Sequence, residues 1–73
     1  MYNEIFECGL VRISRNELEE IFGYDYSPFS DALMEEIVYE VNDKLIDDYG
    51  INWERHISTD KYWEIVKGVI NSK

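Results

Sequence analysis

The sequence predicts a single small α+β domain, with three helices, one of them long, packed on a two- or three-stranded antiparallel sheet. A β-branched opening stretch supplies the strands, and serine residues introduce three segments whose apolar side chains recur at helical spacing. The chain has 73 residues, 45% of them hydrophobic and 15% aromatic, so it sits far from the low-hydrophobicity composition of disordered segments. A chain this short buries only about 60% of the surface that its unfolded form exposes, so the core is small.

Tyr2, Ile5, Phe6, Leu10, Val11 and Ile13 predict two short extended pieces, near 2–7 and 10–13, with Gly9 marking a bend or bulge between them. Ser14 followed by Glu17 forms a capping box, and Ile13 and Leu18 stand in hydrophobic-staple positions. The helix that follows spans 15–22, buries Leu18, Ile21 and Phe22, and stops at Gly23. After a linker, Ser27-Pro28 suits the start of a second helix, with Ser30 as a rival cap. That helix covers about 28–49 and ends at Gly50, a length of about 33 Å at 1.5 Å per residue. Leu33, Met34, Ile37, Val38, Val41, Leu45 and Tyr49 share its apolar face. Ile51, Trp53, Arg55 and Ile57 alternate with polar residues, which predicts a third strand. Ser58 caps a last helix over 59–71, packing Tyr62, Trp63, Val66, Val69 and Ile70.

Charge is the outlying property. Sixteen acids face seven bases, a net charge of −9, and residues 16–48 hold eleven of those acids against Lys44 alone. On the long helix Glu36, Glu40, Asp43 and Asp47 fall within a stripe about 60° wide, and successive carboxylates rise about 4.5–6 Å along the axis. Each like-charge pair four residues apart costs a few tenths of a kcal/mol, and acids near the helix C-terminus oppose its dipole. Lys44 is placed to offset some of this by pairing with Glu40 or Asp48. Most charge runs are solvated faces that aid solubility. Here the near absence of bases and the neighbouring rings of Tyr24, Tyr26 and Tyr39 argue for more.

Other chemistries find little support. One cysteine, Cys8, and one histidine, His56, make neither an internal disulfide nor a four-ligand zinc site, and no nucleophile–base set is legible. No catalytic residue, metal or cofactor is therefore expected. No apolar run approaches a membrane span and the opening residues lack a signal-peptide pattern, so a cytoplasmic setting is expected. Residues 11–23 echo the capped first helix of a helix-turn-helix. The helix that follows presents carboxylates, which a duplex carrying one negative charge per about 1.7 Å would repel. No direct nucleic-acid binding is expected.

In size, charge and acidic helix stripe the chain resembles the phage-encoded DNA-mimic inhibitors of host defence nucleases, the anti-CRISPR and anti-restriction proteins. The resemblance covers length and charge, not a shared motif. It implies a non-enzymatic inhibitor that fills a basic nucleic-acid-binding groove of a nuclease or its complex. Glu36, Glu40, Asp43 and Asp47 would be central to binding, with Glu35, Glu19, Glu20 and Tyr39 beside them. The alternative is an interaction or structural module, a subunit, adaptor or self-associating homodimer, that binds through an apolar patch anchored on Trp53 or Trp63.

Overall fold

The computed structural model describes residues 4–73. Two strands, β1 (Ile5–Cys8) and β2 (Val11–Ser14), lead into three helices, α1 (Arg15–Phe22), α2 (Asp31–Tyr49) and α3 (Thr59–Asn71). The α+β class and the helix count are as the sequence predicts. Tyr2 and Asn3, included in the first expected strand, lie outside the described residues.

β1 and β2 pair antiparallel in the register Ile5↔Ser14 to Cys8↔Val11, so Gly9 and Leu10 form a two-residue turn. Gly9 has φ +62° and, among the described residues, no non-glycine residue has a positive φ, which is the type II′ pattern with glycine in its first central position. Phe6, Val11 and Ile13 point into the core.

α1 has the predicted bounds because both halves of the capping box form. The Glu17 amide donates to Ser14 Oγ at 3.2 Å, and the Ser14 amide donates to Glu17 Oε1 at 3.3 Å. Gly23, at φ +77°, ends the helix in the left-handed region. Leu18 is enclosed, whereas Ile21, expected inside, is exposed. Two strands are too narrow to cover all three apolar residues of so short a helix.

The rival cap starts α2. Ser30 Oγ accepts the Leu33 amide at 3.1 Å, and the helix begins at Asp31 rather than Pro28. Arg15 explains the delay: its Nη2 donates to the Phe29 carbonyl and to Asp31 Oδ1, both at 2.7 Å. Phe29 O is thereby held outside the helix, and Tyr26 turns into the core. Met34, Ile37, Val38, Val41 and Leu45 form the buried face of α2. Each such side chain contributes about 1.5–3 kcal/mol by leaving water.

The third strand expected over residues 51–57 does not form. Residues 53–55 make one turn of 3-10 helix, and their amides bond locally, Trp53 N to Gly50 O at 3.1 Å and His56 N to Trp53 O at 2.9 Å. The apparent alternation conceals a four-residue spacing: Trp53 is buried, Ile57 is half-buried, and Ile51 is among the most exposed side chains. This connector reverses the chain so that α3, capped by Ser58 as predicted, returns antiparallel along α2. Val66 and Val69 close the core from that side.

A candidate protein-interaction face on the long helix

α2 is nineteen residues long, about 28 Å at 1.5 Å per residue. Its buried side chains face the sheet and α3, so Glu35, Glu36, Tyr39, Asp43 and Asp47 are left on the solvent side. Asp43 and Asp47 make no ion pair among the described residues, and neither does Glu35. Tyr39 stands between them with 65% of its surface exposed.

The expected four-carboxylate stripe is not free along its whole length. Its centre is turned from the outward direction toward α3, and Glu40, half-buried, sits at that border. The Lys73 ammonium, at the end of α3, pairs with both Glu36 Oε1 and Glu40 Oε2. Glu40 Oε2 is shut away from solvent, so this lysine is its counter-charge. The Lys73 side chain is only 18% exposed, and bonding first to Glu36 and then to Glu40 raises its pKa above the ordinary lysine value. Lys44, the residue expected to neutralise Glu40 or Asp48, pairs with neither among the described residues.

The α1 acids separate from the stripe. Glu19 lies in a polar depression with Glu4, Asp25 and Asp31 around Arg15, whereas Glu20 lies on another side beside Arg12. Arg15 is raised above its usual pKa chiefly by its bond to Asp31, and its guanidinium also lies 5.4 Å from the centre of the Phe6 ring. Within this depression Arg15, held by Glu4 and Asp31, clamps α1 to the start of α2. Among the described residues no group of three His, Cys, Asp or Glu is placed to hold a metal ion.

The aromatic alternative is also rearranged. Trp53, one of the two candidate anchors, is buried and stacks on Tyr62 with centroids 5.7 Å apart and planes 7° apart. Tyr62 meets Trp63 edge-on at 4.9 Å, and Trp63 in turn meets Phe22 at 6.2 Å. Trp63 is the less buried of the two tryptophans, and both serve the core. Of the linker rings, Tyr24 is exposed and Tyr26 is enclosed. Sequence reasoning missed the exposed apolar residues Ile5, Leu10 and Ile46. Ile46 was legible, since it falls off the apolar arc of the helical wheel; Ile5 and Leu10 were not, because strand direction depends on where α2 lies.

The fold and this face together define a small α+β domain with an acidic, partly aromatic helix surface. Compared with models of protein families, with curated proteins and with solved structures, the chain matches none. No described helix is long and apolar enough to cross a membrane.

Proposed function

We propose that this protein is a non-enzymatic inhibitor that docks in a basic, nucleic-acid-binding groove of a partner protein and blocks access of DNA or RNA. The observation that carries this reading is the outer face of α2, where Asp43 and Asp47 lie unpaired and exposed beside Tyr39. Unpaired carboxylates on a rigid helix keep their charge available for a cationic groove. The −9 net charge steers that encounter from beyond contact range. Tyr39 adds short-range apolar contact with a polar tip. The central residues are now Asp43, Asp47, Glu35 and Tyr39. Glu36 and Glu40 join them only where a partner's cations displace Lys73. The module alternative loses its Trp53 anchor to the core.

Asp43→Lys/Asp47→Lys is the direct test, since neither residue supports the fold. The wild type and the double variant are each immobilised and exposed to a nuclease-containing bacterial lysate at low salt. The wild type should retain a DNA- or RNA-handling protein that moderate salt releases and that its own nucleic acid displaces; the variant should not. Retention of the same protein by the variant, indifference to nucleic acid, or no salt-sensitive capture at all overturns the proposal.

A further inference from the structure

The outer edge of β1 is unoccupied by any described hydrogen bond. A two-residue turn makes Cys8 and Val11 a hydrogen-bonded pair, and such pairs alternate along an antiparallel ladder. Phe6 therefore bonds to Ile13, while Ile5 and Glu7 direct their backbone N–H and C=O away from β2. Outside the ladder no described backbone bond involves either residue. An open groove runs along this edge. Four successive residues of β1 form one side, and Glu35, Val38 and Tyr39 of α2 form the other. Among the described residues no strand other than β2 lies beside β1. Exposed Ile5 and Tyr39 stand at the margins of the groove, where a solvated rim would carry polar residues.

We infer that this groove binds an extended, cationic segment of another protein by strand addition to β1. Backbone donors and acceptors in a row at strand spacing are matched by another strand, with alternate side chains turned toward α2. Those facing α2 would be apolar and cover the Tyr39 ring, Val38 being already buried in the core. Those on the opposite face would be solvent-exposed and polar, since Glu7 there already pairs with Arg12 at 3.5 Å; the segment's positive charge answers the unpaired Glu35 that borders the groove and the net charge of −9. β1 has four residues, about 13 Å at 3.3 Å per residue, so the segment spans four to six residues. A second copy of this chain is disfavoured as occupant, since each copy carries −9. The groove shares Glu35 and Tyr39 with the proposed blocking face, but strand addition does not require α2 to block nucleic acid, and its probe contains no nucleic-acid-binding groove.

The probe is a capped hexapeptide of alternating lysine and valine, titrated into the full chain at low salt and followed by amide NMR. Two versions are N-methylated at every second residue, one in each phase. They keep the charge and side chains but lose the donors of one edge or the other. Strand addition predicts binding by the parent and by one methylated phase, and a loss of about tenfold or more in the other. Hydrogen exchange at Ile5 and Glu7 should slow more than at Phe6 and Cys8, whose amides are already paired. Equal binding of both methylated phases, failure of the parent to bind, or unchanged exchange at Ile5 and Glu7 overturns the inference.

Discussion

Gly9 carries two demands at once. Its φ of +62° is one that an L side chain rarely adopts, and a Cβ built there would stand 2.7 Å from Asn42 Oδ1. Asn42 Oδ1 is itself buried without a hydrogen-bond partner, so the hairpin tip presses on a polar group of α2. Gly9→Ala should cost about 1–2 kcal/mol from backbone conformation, with the Asn42 contact adding to it. In a double-mutant cycle with Asn42→Ala, urea unfolding should recover the contact share and leave the conformational share. Full additivity of the two substitutions would show that the hairpin and α2 do not press together. Ser14, Ser30 and Ser58 act more simply, since each accepts an amide three residues on, and all three were readable as caps. Choosing between Ser27 and Ser30 was not readable, because Arg15 makes that choice from fourteen residues away.

α2 is an element whose surface works against its own stability. Asp43 and Asp47 repel across one turn, and Asp47 and Asp48 oppose the dipole at the C-terminal end. Lys73 relieves only the first half of the stripe, at Glu36 and Glu40. Asp47→Lys removes the Asp43 repulsion and places a cation near the helix C-terminus. It should therefore stabilise the protein by about 0.5–1 kcal/mol in urea unfolding, with the gain shrinking as salt is added. A loss of stability instead would mean that Asp47 holds a structural contact. The stabilising change and the loss of partner binding expected for the double reversal point in opposite directions. Observed together, the two effects would mark a surface kept for a purpose other than folding.

Across the whole molecule, aromatic rings tie the pieces together. The run from Trp53 through Tyr62, Trp63, Phe22 and Tyr26 to Phe29 joins the connector, α3, α1 and the linker. Within it, burial pushes the Tyr62 phenol up to about 12, above its ordinary value of 10.0. Because the folded state holds this proton more tightly than the unfolded chain, the stabilisation is complete below pH 10 and is lost as pH rises toward 12. Alkaline unfolding should therefore begin in that interval, and Tyr62→Phe should move it upward. In phenolate absorbance, Tyr62→Phe should remove a component that titrates near 12. A titration curve unchanged by Tyr62→Phe at its alkaline end would contradict the packing of Tyr62.

Local chemistry was enough to determine much of this protein from its sequence. Caps and left-handed glycines act within a turn of the chain, so the bounds of α1 and α3 and the end of α2 could be read directly. Hydrophobic spacing likewise identified the core face of α2. Tertiary structure decided what depends on residues distant in sequence. It turned the stretch from Ile51 to Ile57 into a helical turn, because reversing between two antiparallel helices satisfies its backbone locally. It buried Trp53 against Tyr62, divided the acids of α1 from those of α2, and gave half of the stripe to Lys73, 37 residues beyond Glu36. A helical wheel counts the carboxylates on a face, but only packing shows which of them already have a counter-charge.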